Sequence, residues 1–350
     1  MSLRKKLSAS LLAATAMLSP LLAKPAKAAD PGVLHIYNWT DYTAPDLIKK
    51  FTQETGIKVT LDTYDSNETL LAKLKAGGSG YDLVIVSNDF VPIFIKQHLI
   101  QPVDASAMPN FTNLDTKWQT RTWDPKAEYT VPWQWGTTSF QYDTKVYSGP
   151  VDSLATLFKP PAEFGNNVGM FGSSSEVINL ALLYMGKPLC DTNPADLQKL
   201  VTLLKAQKPR VKVYNSDADM DRLVSGETTI SEIWSGAAYR ARQQKASLTY
   251  VYPKEGVIAW MDNLAVPVGA PDVANAKKFM DFMMDPKNAA LETNFAGYQS
   301  AVAGTAQYLP ASLANAPEFN PPKDLKMEFA TACPAKATKD YDRVWTLLRQ

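Results

Sequence analysis

Apolar positions along the chain recur with two periods, one of two residues and one of three to four. Val33–Trp39 (VLHIYNW) has the β-branched and aromatic content of a strand. In APDLIKKFTQETG, Leu47, Ile48 and Phe51 share a helical face, Pro45 suits the first turn and Gly56 can close the end. Residues 57–64 (IKVTLDTY) alternate as a second strand. Asp65 or Ser66 can cap the next helix, NETLLAKLKAGG, whose apolar face is Leu70, Leu71 and Leu74. Residues 81–87 (YDLVIVS) form an unbroken apolar run, the mark of a strand buried on both faces, and VPIFIKQHL reads as a short helix. The order β-α-β-α-β-α predicts a mostly parallel sheet with helices on both faces. Ligands in such sheets lie beyond the carboxyl ends of the strands. The segments there are Asn38-Trp39-Thr40-Asp41-Tyr42 and Ser87-Asn88-Asp89-Phe90.

The alternation resumes in the middle of the chain. EVINLALLYMG and DLQKLVTLLKAQK read as helices, VKVYNS as a strand, SDADMDRLVSGE as a capped helix, TTISEIW as a strand and GAAYRARQQ as a helix. Strands at 250–252 and 257–260 and the strand MDNLAVPV precede two helices in AKKFMDFMMDPKNAALETNF, broken at Asp285-Pro286. A proline-rich EFNPPKD stretch lies in the C-terminal part. Two α/β units without a flexible linker predict lobes joined by strands. The candidate crossings are 135–143 (WGTTSFQYD) and 259–267 (AWMDNLAVP).

The N-terminus departs from this pattern. Arg4, Lys5 and Lys6 precede an apolar run interrupted by Pro20, and Ala26-Lys27-Ala28 has the small-x-small form of a cleavage site. Residues 1–28 read as a secretory signal peptide, which places the mature chain outside the cytoplasm. The 350-residue chain has 36 basic and 35 acidic residues, a net charge of +1. Removing the five basic residues of the signal leaves 31 against 35, or −4. That balance supplies no basic face for nucleic acid. In an oxidising compartment the two cysteines, Cys190 and Cys333, admit one disulfide.

The chemistry-bearing motifs argue against an enzyme. The two histidines, His35 and His98, fall in a strand and near a helix end, and HExxH, GxSxG, Walker and GxGxxG patterns are absent from the sequence. Aromatic residues beside acids at strand ends are the positive signal: Trp39-Thr40-Asp41-Tyr42, Trp260-Met261-Asp262, Trp234-Ser235-Gly236, Tyr298 in AGYQS and Glu176 opening a helix. An indole face holds a methylene chain or a cation, and a carboxylate adds a charge-assisted hydrogen bond. Each taken singly has a plainer role: a Trp packs in a core, and Asp41 or Glu176 favours a helix start. Asp262 resists that explanation. It interrupts the apolar run IAWMDNLAV, where an unpaired carboxylate is costly.

YNWTDYTAPD, FTQETGIKVTLDTYDSNETLLAKLKAG, YDLVIVS, VPWQWGTT, EIWSGAAYRARQ, YPKEG and WMDNLAVP together resemble the spermidine/putrescine-type substrate-binding proteins of bacterial ABC importers. The resemblance covers nearly the whole mature chain. It implies a two-lobed α/β periplasmic binding protein fold of type II, each lobe a mixed, mostly parallel sheet flanked by helices. Lobe 1 is expected at 29–137 plus 262–307, and lobe 2 at 138–261 plus 308–350. It also implies a monomer that takes an amine ligand, works with permease subunits and needs no cofactor or metal.

Carried over by position, Trp39 and Tyr42 line the first-lobe wall, and Thr40 and Ser87 add polar contacts. Trp234 and Trp260 pack on the methylenes, and Asp262 and Glu176 meet amines. Tyr298 completes the aromatic wall, and Asp41 and Asp89 stand in the same strand-end clusters. The chain departs from the family at three places. Ser173 and Ala237 stand where spermidine-type and putrescine-type members, respectively, tend to carry acids, and Asp89 is an acid where the family has Tyr or Ser. The ligand is left open among a diamine, spermidine, a guanidino-amine and a smaller amine. An opine, amino acid or sugar in the same scaffold is a rival reading, and a chemosensory subunit or a secreted enzyme is a more distant one.

Overall fold

In a computed structural model, residues 32–77 and 80–350 are described. The expected signal peptide at 1–28 lies outside them. Val33–Trp39 (β1), Lys58–Tyr64 (β2) and Leu83–Ser87 (β3) lie side by side in parallel, with β1 between the other two. Ile100–Gln101 (β4) is short, and Thr130–Asp143 (β5) is long and buried throughout. Val168–Met170 (β6), Val211–Tyr214 (β7) and Ile230–Trp234 (β8) form a second parallel group, with β6 in the centre. Leu248–Val251 (β9), Val257–Pro267 (β10), Gln299–Ser300 (β11) and Met327–Phe329 (β12) complete the strands among the described residues. The main path through the sheet is β2-β1-β3-β10-β5-β8-β6-β7. The sheet is therefore mixed. Its two parallel groups are joined through β10 and β5, which are antiparallel to each other, with β10 also antiparallel to β3 and β5 to β8.

Alternation in β3 shows why its apolar run is unbroken. Leu83 and Ile85 face a core with Leu34, Ile36, Leu47 and Phe51, while Val84 and Val86 face another with Tyr37, Leu70 and Phe94. The second parallel group is likewise covered on both faces, by a core holding Phe140, Val168, Leu180 and Ile230 and by one holding Ile233, Ala238 and Leu248. Each fully buried Leu, Ile or Phe adds about 1.5–3 kcal/mol of apolar burial.

β5 and β10 belong to both halves. β5 contributes Val131, Trp133 and Trp135 to the first core and Phe140 and Tyr142 to the second. β10 contributes Ile258 to the second core and Trp260, Met261, Leu264 and Val266 to the first. The two expected crossings, 135–143 and 259–267, fall within these strands and run to their C-terminal ends, and the strands expected at 257–260 and MDNLAVPV are one continuous β10. The paired crossing strands β5 and β10 connect the halves directly.

Several local expectations change. Ser66, rather than Asp65, caps Asn67–Lys75, its side chain accepting from Thr69 N. Asp41 caps nothing: Ala44 is the N-cap of Pro45–Thr55 and makes no side-chain bond. The helix expected over SDADMDRLVSGE begins only at Asp219, after Ala218 in the left-handed region (φ 54°), without a side-chain cap. The C-terminal helix Ala335–Arg349, for which the sequence reading offered no element, buries Tyr341, Val344 and Leu348 in the second core. A disulfide between Cys190 and Cys333 ties the approach to that helix to the loop after Ser174–Tyr184.

Candidate ligand-binding site

The carboxyl ends of β1 and β3 meet the middle of β10. Asp262 on β10 is opposite Ser87, the last residue of β3. On its other side, the β10–β5 register slips between Met261 and Asn263, so Asp262 has no partner on β5. Such a bulge re-aims a side chain, and here it serves an acid that is only 4% exposed. Ser87 Oγ donates to Asp262 Oδ1 at 2.6 Å, and the Tyr42 hydroxyl donates to Oδ2 at 2.7 Å. Burial raises the Asp262 pKa to about 6, against the lowering effect of the bonds from Ser87 and Tyr42. Burial and the neighbouring Asp262 charge raise the Tyr42 hydroxyl well above its ordinary value, which keeps it a donor.

Aromatic rings wall this acid. Tyr298 packs 5.3 Å from Tyr42 and edge-on to Trp260 at 5.1 Å. Trp39 leans on Tyr64 at 4.4 Å. Two glycines let the rings in. A Cβ on Gly136, which faces Trp260 across the β5–β10 ladder, would stand 2.8 Å from the indole, and one on Gly236 would stand 2.5 Å from the Tyr298 ring.

A second acid comes from the other half. Glu176 lies in the first turn of Ser174–Tyr184, whose N-cap Ser173 accepts from the Glu176 N–H. Trp234 Nε1 donates to Glu176 Oε1 at 3.3 Å and Thr138 Oγ1 donates to Oε2 at 3.0 Å. Trp234, at the end of β8, is itself stacked on Phe171 at 4.1 Å. Burial raises the Glu176 pKa to about 7, against those bonds and with Glu68 adding to the rise.

These groups surround one cleft with two chambers, both open to solvent. Trp39, Ser87, Glu176, Trp234 and Trp260 line both chambers. Thr40, Asp41, Tyr42, Asp262 and Tyr298 line the larger one, and Asp89 lines only the smaller. All eleven residues singled out in the sequence thus reach the cleft. Burial, then the charges of Glu176 and Glu68, push the Asp89 pKa up to about 8.

A cleft built this way, with carboxylates from both halves between aromatic walls, has the form of a solute receptor. Residues 46–321 match the family described as bacterial extracellular solute-binding protein. The chain belongs to that family. It is 37% identical over 313 residues to the spermidine/putrescine-binding periplasmic protein of Escherichia coli strain K12, covering 89% of each chain. It is 35% identical over 367 residues to the putrescine-binding periplasmic protein SpuD of Pseudomonas aeruginosa, covering 99% of each. Among solved structures, a putative spermidine/putrescine ABC transporter from Listeria monocytogenes superposes with a TM-score of 0.85 at 31% identity, covering 91% of this chain and 99% of that one.

Sequence reasoning missed several lining residues. Tyr64 ends β2 and Asp65 and Asn67 follow it, and the strand-end rule that picked out Trp39 and Ser87 would have found them. Glu68 accepts from Ser175 Oγ at 3.2 Å and Ser173 Oγ at 3.5 Å, a contact between the two halves. Asp217, Asp219 and Asp221 also line the larger chamber, although their segment reads in sequence as an ordinary acidic helix start. Arg240 lines it too, and its Nη1 donates to the Asp41 carbonyl at 3.2 Å, a second contact between the halves.

Proposed function

We propose that the protein is a non-catalytic binding protein of the cell envelope that captures an aliphatic polyamine-like cation and delivers it to the permease of an ABC importer. The observation that carries this reading is the buried Asp262, fixed by Ser87 and Tyr42 among Trp39, Trp260 and Tyr298. A buried acid with its own donors satisfied still lacks a compensating charge, and an ammonium supplies it. Glu176 offers a second charge from the other half, and the indole and phenol faces between them suit a methylene chain, at about 0.8 kcal/mol per buried CH₂. The functions of the relatives, spermidine and putrescine binding, support the same class. In this reading the basic and apolar N-terminus directs export, to the periplasm in a two-membrane cell.

The working motion is closure of the two halves by bending within β5 and β10. The ligand favours the closed form because it touches both halves. Titration calorimetry of the purified protein with putrescine, spermidine, cadaverine and agmatine tests the assignment. At least one of these amines binds saturably at a single site. Silence for all four refutes the ligand class.

A further inference from the structure

Asp219 is the one acid of the larger chamber that no part of the reading above uses although it is deeply buried. It is 8% exposed and lines the chamber that also holds Asp262. Its Oδ1 accepts from the backbone N–H of Met220 at 2.6 Å, which meets its local structural role at the start of the Asp219–Ser225 helix. Its Oδ2 is buried and without a hydrogen-bond partner. Two other buried acids, Glu232 and Glu292, also carry one unpartnered oxygen, but neither lines the cleft. The combination of a free carboxylate oxygen and a place in the chamber wall belongs to Asp219.

Each nearby guanidinium donates elsewhere through one nitrogen, while Arg222 Nε and Arg240 Nε are themselves buried without a partner. Arg240 donates to the Asp41 carbonyl, and Arg222 donates to the Asn215 carbonyl at 2.7 Å. Both ease the ionisation of Asp219, but burial outweighs them and lifts its pKa to about 7. A carboxylate oxygen accepts only, so what completes it is a donor, and a cationic nitrogen is the strongest one. Asp89 lines only the opposite, smaller chamber, with Glu176 on the wall the two chambers share.

We propose that Asp219 is a ligand-contacting, specificity-determining residue that receives, as an alternative to Glu176, the second cationic nitrogen, ammonium or guanidinium, of a ligand whose first is held by Asp262. This rests on the reading of the cleft as an amine site. It accounts for how a chain with alanine at 237 still offers the larger chamber a second acid from the second lobe. That acid comes from the Asp219–Ser225 helix, while Ala237 sits on Ser235–Gln244.

The test compares D219N with the wild type by calorimetry, using the diamines, spermidine, agmatine and the monoamine n-butylamine. Asn keeps the acceptor for Met220 N, and D219S is a second neutral variant in case one does not fold. The expected result is a loss of about tenfold or more for the best polycationic ligand, because a buried charge loses its partner. The Kd for n-butylamine and the Tm of the free protein stay as in the wild type. If wild type and variants bind the polycation equally, Asp219 is no receptor, although the amine reading stands. A lowered Tm with equal losses for mono- and polycations makes Asp219 merely the counter-ion of Arg222 and Arg240, and overturns the proposal. If the wild type binds none of the amines, the amine reading falls and the inference with it.

Discussion

Replacing Asp262 with asparagine removes one charge and changes almost no volume, so its consequences separate ligand binding from folding. In the free protein the carboxylate is 4% exposed, and its pKa is raised from 3.8 to about 6. That difference disfavours the charged form by about 3 kcal/mol relative to the unfolded chain. The sign follows from linkage. Because the folded pKa is the higher one, the folded protein holds the proton more tightly. The penalty is absent below the ordinary value of 3.8, grows as pH rises, and is complete above about 6. An asparagine escapes it, but its amide NH₂ cannot accept from Tyr42 or Ser87, and one orphaned donor costs about 1–3 kcal/mol.

For the free protein the two effects nearly cancel at pH 8, and D262N is the less stable form at pH 5. Ligand binding has no such cancellation. Truncating one partner of a buried charge pair costs at least 2 kcal/mol, and we expect 2–4, roughly a 30- to 1,000-fold rise in Kd. Calorimetry at pH 8 with the tightest amine, alongside thermal unfolding at pH 5 and 8, reads both quantities. In the wild type, affinity should also weaken on acidification from pH 8 to 5. Asp262, Glu176 and Asp89, with pKa values of about 6, 7 and 8, take up protons over that range and cease to attract a cation. An unchanged Kd in D262N, or a wild-type affinity that rises on acidification, refutes the role given to Asp262.

Two further outcomes concern the scaffold. Gly136→Ala should destabilise the protein by about 1–3 kcal/mol and weaken the ligand, because the new methyl meets the Trp260 ring at 2.8 Å. A differential scanning trace and a titration that both match the wild type exclude this packing constraint. Cys190→Ser opens a disulfide that spans 143 positions, and should lower the free energy of unfolding by about 2–5 kcal/mol while leaving Kd within twofold. Urea melts of the variant and of the reduced wild type should coincide, and a variant as stable as the oxidised protein contradicts the expectation.

Much of the fold was legible because each signal is local. β1, β2 and β3, the helices between them and the crossing strands follow from apolar periodicity, proline at helix starts and glycine at helix ends. The same locality explains why Trp39, Tyr42 and Ser87 could be named, since strand ends in such sheets are where ligands collect. Asp262 was legible for the opposite reason, as a charge in a run where charge is costly. The Ala335–Arg349 helix was not read, although Ala337, Tyr341, Val344 and Leu348 recur at helical spacing; the partners they bury against lie far away in sequence in the second core.

What tertiary structure alone decided was which of the many acids converge. Asp262 is aimed by a bulge that depends on pairing with both β3 and β5. Glu176 meets Trp234 and Thr138, Glu68 meets Ser175, and Asp219 turns a helix start into a chamber wall, each through segments distant along the chain. A sequence records how each residue suits its own helix or strand. The electrostatic cost of a carboxylate depends on what surrounds it in three dimensions, and only the packed halves define those surroundings.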